Sequence, residues 1–278
     1  MSSLAALGLK FHPFRPSVPI EALHRTPQAE LFLGRVERSV GDGGLALLCG
    51  EPGTGKSAVL RMLHDRLRTR TDLVVATIAH PQSRPADFYR ELGDAFGLAM
   101  RPNNRWESFK GLRARWGEHI AKTCMRPVVL IDEAQEMLPQ VLAELRLLSS
   151  KDFDAEALLC VVFAGDTRFL DKLDTKELAP LRSRVRRRLL LEHASHDTLK
   201  DCLEHLLEAA GNVAFMSESL KHALVDHAAG NYRVLMQMGD ELLLLALDQR
   251  LTSLDEHHYT QAFGAPKQRS PSRRRASS

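Results

Sequence analysis

Residues 50–57 of this chain form a glycine-rich loop whose residue types can hold the phosphates of a nucleotide. They read GEPGTGKS and match the pattern GxxxxGK[ST] at every fixed position. The glycines let backbone N–H groups point inward around phosphate oxygens, and a following helix adds its positive N-terminal end. We expect Lys56 to reach the β- and γ-phosphates and the Ser57 hydroxyl to bind Mg²⁺.

The expected nucleotide contacts run through the whole loop and one residue beyond it. They are Gly50, Glu51, Pro52, Gly53, Thr54, Gly55, Lys56, Ser57 and Ala58. The alternative is a glycine-rich turn that only caps a helix. An apolar run before the loop and an amphipathic pattern after it favour the phosphate loop, because such a loop joins a strand to a helix.

An acidic pair at the end of another apolar run can complete the chemistry of phosphate hydrolysis. Residues 128–133 read VVLIDE. In an open α/β sheet, the carboxyl end of a buried strand lies beside the phosphate loop. We therefore expect Asp132 to hold Mg²⁺ and Glu133 to polarise the attacking water. Two solvated acids at the start of a helix are the alternative interpretation.

Three arginines are candidates for contacting the γ-phosphate. Residues 181–188 read LRSRVRRR, and an arginine that reaches the nucleotide of a neighbouring subunit is an arginine finger. Arg184 is the first candidate and Arg182 the second, with a solvated or DNA-facing basic cluster as the alternative. Arg233 begins a later helix and is expected to reach the γ-phosphate from the C-terminal domain, unless it is a plain surface arginine.

A polar contact with the γ-phosphate is also expected at the end of the fourth apolar run, where residues 163–167 read FAGDT. Asp166 or Thr167 is the candidate. An aspartate close to phosphates is electrostatically unfavourable, so the choice between the two stays open.

Residues 101–126 combine cations with both tryptophans of the chain, Trp106 and Trp116, and include only two acids. A basic helical segment that carries aromatic side chains can follow a DNA backbone. The alternative is a solvated helix whose tryptophans pack on the sheet. The candidate DNA contacts are Arg101, Arg105, Lys110, Arg113 and Arg115.

The composition is typical of a globular protein that works in water. The 278 residues are 44% hydrophobic and 26% charged, and the formal net charge of +3 does not by itself indicate nucleic acid. Four cysteines without a CxxC pair indicate reduced, mostly buried thiols. No apolar run approaches the ~18 residues that a membrane span needs, and no signal peptide is recognisable. We expect a soluble, cytoplasmic protein without a membrane partner.

Short apolar runs alternate with helical patterns along residues 41–193, at 45–49, 73–79, 128–131, 158–164 and 189–191. This order predicts an α/β fold with a five-stranded parallel sheet covered on both faces. Residues 1–40 are expected to form an arm and a first helix. Residues 194–265 show only helical spacing and predict a helical lid domain, whose last helix should start at a capping box of Ser253 and Glu256. Residues 266–278 predict a disordered basic tail.

Several segments together resemble the AAA+ ATPases of the ExeA/GspA-like and TniB/TnsC/Mu-B-like group. Residues 8–14 (GLKFHPF) are similar to the opening of that group, which lies near the adenine. Residues 144–150 (ELRLLSS) with 161–165 (VVFAG) are similar to its central segment, and 230–233 (GNYR) to its sensor-2 motif. The resemblance implies ATP and Mg²⁺ as cofactors. An amide is common in the group where Asp166 stands here.

The resemblance leaves two branches open. The secretion branch usually carries a membrane segment and a cell-wall-binding domain, which this sequence lacks, so we expect the transposon-encoded branch. For that branch it implies a ring or helical filament on double-stranded DNA that selects a target and activates a transposase or integrase. A small-molecule kinase is the third alternative. Glu133 and the helical C-terminal domain disfavour it, because a kinase must exclude water.

Overall fold

The structure is a computed structural model that describes residues 4–100, 104–151 and 155–264. Its centre is a parallel five-stranded sheet in the order β2-β3-β6-β1-β7, and β4 with β5 forms a separate antiparallel ribbon. The strands are β1 (Gly44–Gly50), β2 (Val75–Ile78), β3 (Val128–Ile131), β4 (Ser150–Lys151), β5 (Glu156–Ala157), β6 (Cys160–Gly165) and β7 (Val185–Leu191).

Helices cover both faces of the sheet and continue beyond it. They are α1 (Pro27–Ser39), α2 (Lys56–Arg68), α3 (Pro85–Ala95), α4 (Arg105–Thr123), α5 (Pro139–Leu148), α6 (Thr167–Leu173), α7 (Ala179–Arg182), α8 (His196–Ala210), α9 (Glu218–Ala228), α10 (Tyr232–Gln249) and α11 (Glu256–Phe263). The expectation of a doubly covered parallel sheet followed by a helical C-terminal region is confirmed.

The alternation of side chains along the strands builds two cores. In β1, Ala46 and Leu48 face α1 and α2, whereas Leu45 and Leu47 face the layer that contains α3, α4 and α5. Because β1, β3 and β6 are buried along their length, these strands are apolar at every position. The three apolar strands therefore form the buried centre of the sheet.

The edge strand β7 is longer than its apolar run predicts. It begins at Val185 and includes Arg186 and Arg188, which are exposed and alternate with partly buried neighbours. An edge strand can leave one face in solvent, and there the arginines replace apolar residues without cost to the core. The expectation of a strand confined to 189–191 is therefore wrong by four residues at its start.

The parallel register brings the carboxyl ends of three strands to one edge of the sheet. Cys49 in β1 lies opposite Gly165 in β6, and Ile131 in β3 lies opposite Phe163 in β6. The residues that follow these strands, including Gly50, Asp132 and Asp166, must therefore gather at the same edge.

Helices α8 to α11 pack around a core of their own. Leu199, Leu203 and Leu207 of α8 belong to this core, and so do Leu7 and Phe14 of the N-terminal arm. Helix α1 instead packs on the sheet. The segment 1–40, expected as one unit, is thus divided in its packing between the lid and the sheet.

The last helix starts two residues later than a cap at Ser253 requires. Asp255 is its N-cap, and its side chain accepts from the backbone N–H groups of His257 and His258. The His258 side chain completes the capping box, so the expected pairing of Ser253 with Glu256 is wrong.

The cysteines at positions 49, 124, 160 and 202 are free thiols, and three of them are buried. Burial raises the pKa of the Cys160 and Cys202 thiols to about 12. Within the described residues, no helix combines the length and the apolar character that crossing a bilayer requires. The basic segment 266–278 and Arg101 lie outside the described residues.

Candidate nucleotide-binding site

A cavity of about 930 Å³ lies between the carboxyl edge of the sheet, the N-terminal arm and the lid. The P-loop and the start of α2 form its floor, and Glu133 lies at its side. Pro13, Phe14 and Pro16 come from the arm, and Tyr232, Arg233 and Met236 come from α10. The volume and the mixed apolar and polar walls suit a ligand of nucleotide size.

The P-loop adopts a conformation that its glycines permit. Gly53 and Gly55 have φ values of 87° and 96°, which side-chain-bearing residues rarely adopt. Gly55 is the N-cap of α2, so the backbone N–H groups of the first turn point into the cavity. The Lys56 ammonium donates to the carbonyl oxygens of Gly50 (2.7 Å) and Glu51 (3.0 Å), which places it within the loop.

A pair of oxygen ligands suited to Mg²⁺ lies beside this loop. The Ser57 hydroxyl donates to Asp132 Oδ2 across 2.9 Å. Hydroxyl and carboxylate oxygens are the donors that Mg²⁺ prefers, with the remaining positions taken by water and phosphate. The residues present therefore fit the metal, and Lys56 fits the phosphates that accompany it.

Glu133 follows Asp132 in a left-handed backbone conformation with φ of 52°. Its N–H donates to Asp132 Oδ1 (2.9 Å), and its exposed side chain lines the cavity. The Asp132 carboxylate therefore contacts Ser57, whereas the Glu133 carboxylate lies at the cavity wall. A non-glycine residue in this conformation is uncommon, and Cys124, Ala229 and Arg250, which share it, are all C-caps of helices.

Asp166 and Thr167, at the end of β6, are the two candidates for a polar contact with the γ-phosphate. Of these, Thr167 has a side chain that contacts the P-loop. Its hydroxyl donates to Glu51 Oε1 across 3.0 Å. The Asp166 carboxylate instead caps α6, accepting from Arg168 N (3.0 Å) and Arg168 Nε (2.9 Å), and neither Asp166 nor Thr167 lines the cavity. A γ-phosphate contact at this strand end, which stays a prediction, suits Thr167 better than Asp166.

The lid contacts the P-loop directly, through two residues of the 230–233 motif for which the sequence predicted no such contact. Tyr232 N donates to Gly53 O (2.9 Å), and Asn231 Nδ2 donates to Pro52 O (3.2 Å). A Cβ atom at Gly53 would lie 2.0 Å from Asn231 Oδ1. Arg233 is exposed and lines the cavity next to these contacts, and its contact with the γ-phosphate stays a prediction.

The arm is held against both domains. Arg61 of α2 donates to Pro16 O and Val18 O, each across 2.8 Å. Phe14 packs so closely on α10 that a Cβ atom at Gly239 would lie 2.5 Å from its ring. The arm therefore forms a fixed wall of the cavity opposite the P-loop. Sequence patterns gave no signal for Arg61, because its partners are backbone carbonyls distant in sequence.

Burial keeps two titratable groups of the cavity wall neutral. Burial raises the pKa of Tyr232 to about 12. It also lowers the pKa of His24, which the nearby His205 lowers further and Asp201 raises. The positive charge that faces a bound anion therefore comes from the lysine and arginines of the lining, not from His24; these are Arg15, Lys56, Arg61 and Arg233.

The two finger candidates lie away from this cavity. Arg182 is exposed and pairs with Asp174 at 2.8 Å. Arg184 is half-buried and lines a second cavity of about 780 Å³ between α4 and α5. Neither residue lines the nucleotide cavity of its own chain, so a γ-phosphate contact from either would have to reach a neighbouring subunit.

The basic residues of α4 have different surroundings. Arg105 pairs with the buried carboxylate of Glu144, which also accepts from the Tyr89 hydroxyl at 2.7 Å. Arg113 Nη1 donates to Leu147 O and Ser150 O at the end of α5. Both guanidinium groups therefore have structural partners.

The other two candidate DNA contacts of α4, Lys110 and Arg115, lie on different sides of the helix. Lys110 stands 5.5 Å from the ring of Trp106, which is 65% exposed and stacks on Phe109. Arg115 lies near Glu118. Trp116, in contrast, is buried against Phe96. Trp106 is thus exposed, as the interpretation of α4 as a DNA-contacting helix requires. Trp116 is part of the core, as the alternative of a helix packed on the sheet requires.

Comparisons with known proteins agree with this architecture. Residues 38–173 match the family model described as an AAA domain. General secretion pathway protein A of Aeromonas hydrophila is 33% identical over 210 residues, which cover 74% of this chain and 38% of that protein. ATP-dependent target DNA activator B of Escherichia phage Mu is 24% identical over 205 residues, which cover 67% of this chain and 61% of that protein.

Among solved structures, the ORC1 protein of Aeropyrum pernix in complex with DNA matches with a TM-score of 0.67 at 19% identity, covering 90% of this chain and 67% of that chain. At this identity the likeness establishes the fold alone. The chain spans 38% and 61% of the length of the two curated relatives. From the matched domain, the sheet order and these relatives, the chain belongs to the AAA+ P-loop ATPases, in the group that includes general secretion pathway protein A and target DNA activator B.

Proposed function

We propose that this chain is an ATP-hydrolysing switch that assembles on double-stranded DNA and recruits or activates a transposase. The observation that carries the hydrolytic part is the contact of Ser57 with Asp132, with Lys56 and Glu133 beside it. When bound, Mg²⁺ supplies charge that stabilises the transferred phosphoryl group. Lys56 binds and orients the phosphates, and Glu133 accepts the proton of the attacking water.

Similarity to a target DNA activator supports the DNA-related part. The acidic and basic residues are unevenly distributed between the lid and the rest of the chain, and this indicates which part would contact DNA. Residues 194–264 hold eleven Asp and Glu against four Lys and Arg, whereas residues 1–193 hold 24 acids against 29 cations. An acidic lid repels a phosphate backbone, so DNA would approach the α/β domain.

The surface that includes Lys110 and Trp106 on α4 is the proposed DNA-facing surface. Arg146 and Lys151 line the adjoining cavity and add to its positive potential. Arg113 adds its charge to this surface, whereas the charge of Arg105 is neutralised by Glu144; both guanidinium groups hold α4 against α5. Contacts of this kind fix position on a duplex without reading its sequence, which suits a protein that selects targets broadly.

Assembly into a ring or filament is the proposed way in which the nucleotide controls DNA binding. Arg184 or Arg182 would then complete the nucleotide site of the adjacent subunit, since neither lines the cavity of its own chain. Hydrolysis is expected to be slow in the isolated subunit and to rise on DNA, because the finger is absent until subunits meet. A cytoplasmic location is part of this proposal.

The second candidate is an ATPase that serves envelope assembly or secretion, and the 33% identity with general secretion pathway protein A favours it. In that case the partner is an envelope protein and DNA has no effect on the ATPase.

One experiment separates the two candidates. The purified full chain is mixed with duplex DNA and a slowly hydrolysed ATP analogue, and assembly is followed by sedimentation and electron microscopy. Rings or filaments that need both DNA and nucleotide support the DNA-bound switch. If DNA changes neither the assembly state nor the rate of hydrolysis, the proposal fails and the secretion-related candidate takes its place.

A further inference from the structure

Behind the proposed catalytic carboxylate lies a buried amide that the hydrolytic scheme above does not use. Gln135 is 6% exposed and does not line the nucleotide cavity, whereas Glu133 does. Its Nε2 donates to Glu133 Oε2, and its Oε1 accepts from Asp166 N across 3.1 Å. One side chain therefore joins the acid at the end of β3 to the backbone at the end of β6.

The amide has little freedom to turn. A Cβ atom at Gly165 would lie 3.0 Å from Gln135 Oε1, so the backbone of β6 packs closely against the amide oxygen. The Lys172 ammonium donates to Gln135 O and, across 2.8 Å, to Met137 O. Cys49 Sγ donates to Asp166 O at 3.2 Å, which fixes the other end of the link. Both hydrogen-bonded groups of the amide are thus oriented by neighbours that are fixed themselves.

This arrangement constrains one oxygen of the Glu133 carboxylate and leaves the other for water. Glu133 is exposed and has a left-handed backbone. Without a fixed partner, such a side chain would sample several rotamers, and the reacting oxygen would lose its position relative to the phosphate. We propose that Gln135 is the positioning residue of the hydrolytic site: its amide holds Glu133 in the productive orientation and couples it to the end of β6.

The coupling extends to α6. Arg168 of α6 pairs with Glu136 at 3.1 Å and with Asp166 at 2.7 Å, and Lys172 of the same helix holds the backbone of Gln135. A displacement of α6 therefore moves both Asp166, whose N–H donates to the amide oxygen, and the backbone that carries Gln135. Helix α7 with Arg182 follows α6 in the chain, so contact with a neighbouring subunit there can reach Glu133 through Gln135.

The inference rests on the proposed role of Glu133, and the variants are chosen to separate the two. Gln135→Glu keeps an oxygen that accepts from Asp166 N but sets a second carboxylate against Glu133. Gln135→Met keeps the volume and removes both hydrogen bonds. Gln140→Ala changes an exposed glutamine of α5 and is the matched control. ATP hydrolysis, ATP affinity and thermal unfolding are measured for the full chain of each variant between pH 5.5 and 8.5.

We expect both Gln135 variants to lower kcat roughly 10- to 100-fold at pH 7.5, with ATP affinity within about twofold of the unaltered chain. For Gln135→Glu the deficit relative to the unaltered chain should shrink as the pH falls. Two adjacent carboxylates share a proton more readily at low pH, and the protonated side chain again donates to Glu133. A merely structural glutamine gives no such recovery.

A recovery of Gln135→Glu toward low pH, absent from Gln140→Ala, supports the positioning role. A folded Gln135→Met or Gln135→Glu variant that hydrolyses ATP normally overturns it, as does a deficit that follows unfolding and not pH. Glu133→Gln is measured in parallel. If that variant hydrolyses ATP normally, the proposed role of Glu133 fails as well, whereas an inactive Glu133→Gln beside fully active Gln135 variants removes only the inference.

Discussion

The Ser57 hydroxyl donates a hydrogen bond to Asp132 Oδ2 across 2.9 Å, joining the first turn of α2 to the carboxyl end of β3. The contact brings together two oxygens of the kind that bind Mg²⁺, from segments 75 residues apart in the chain. We expect Ser57→Ala and Asp132→Asn to weaken the binding of Mg²⁺–ATP by roughly tenfold or more, because each removes a metal contact.

The measurement is the affinity of a fluorescent ATP analogue with Mg²⁺ and with a chelator. Both variants should bind the metal-free nucleotide about as well as the unaltered chain, and the chelator should bring the unaltered chain close to the variants. A variant that loses affinity equally with and without Mg²⁺ would show a damaged loop and not a lost metal contact.

Lys56→Ala and Glu133→Gln should block the cycle at different steps. Lys56 lies within the P-loop at hydrogen-bond distance from two of its carbonyls, so its loss removes the charge that attracts the phosphates. We expect Lys56→Ala to lose nucleotide binding and, with it, assembly. Glu133→Gln should bind ATP normally, lower hydrolysis by roughly 100-fold or more and remain assembled. Equilibrium binding and single-turnover hydrolysis distinguish the two variants.

The positions of the buried strands could be predicted from the sequence, but the extent of the edge strand could not. Residues 128–131 are buried on both faces and therefore apolar at each position, so this strand can be recognised from the sequence. In β7 the exposed Arg186 and Arg188 resemble a loop, because an exposed face places no apolar demand on the sequence. The first and last residues of a strand can therefore be predicted from the sequence only where both faces of the sheet are buried.

In the site, the sequence indicated the residues that belong to a fixed local spacing and missed those that act through tertiary contacts. Lys56 and Ser57 follow from the loop pattern alone. Gln135 and Arg61 bond to groups 31 and 45 residues away, and no local pattern encodes such partners. Asn231 belongs to the 230–233 motif, but its bond to Pro52, 179 residues away, has no local signal either. Arg105 and Arg113 show the converse, because cations that read as surface charges hold α4 and α5 together.

The arm should be essential to the nucleotide cavity through the contact of Phe14 with Gly239. A Cβ atom at position 239 would lie 2.5 Å from the Phe14 ring, and the ring cannot shift without moving the arm. We expect Gly239→Val to lower ATP affinity about tenfold or more, since it displaces one wall of the cavity, and to cost about 1–3 kcal/mol of unfolding free energy. Gly117→Val is the control, because a Cβ atom there meets nothing within 4 Å.

Substitutions on α4 should separate structural cations from DNA contacts. Arg105→Ala leaves the buried Glu144 carboxylate with the Tyr89 hydroxyl as its remaining partner, so we expect a loss of about 1–2 kcal/mol in unfolding free energy. Lys110→Ala should leave stability unchanged, weaken DNA binding and reduce its salt dependence by about one phosphate contact. Lys122→Ala, on the other side of the helix and paired with Glu118, is the control.

Chemical denaturation and DNA titrations at several salt concentrations test this division. Equal DNA affinities of the Lys110 and Lys122 variants would move the DNA contact away from the Trp106 side of α4. An unchanged unfolding free energy for Arg105→Ala would instead show that solvent compensates the exposed half of the ion pair.

The pair of His24 and His205 should make the folded chain less stable in mild acid. Their rings lie 5.8 Å apart, and burial followed by the proximity of His205 lowers the pKa of His24 below its usual 6.5. Below pH 6.5 the unfolded chain therefore binds a proton that the folded chain resists, so stability present above that pH is lost as the pH falls toward the lower folded-state value. Asp201 opposes this effect but does not cancel it.

Thermal unfolding between pH 5 and 8 tests this expectation. As the pH falls, the unfolding temperature should decrease more steeply for the unaltered chain than for His24→Gln. His80→Gln, at a side chain 83% exposed, should keep the slope of the unaltered chain. If His24→Gln keeps that slope too, the acid sensitivity arises at another group.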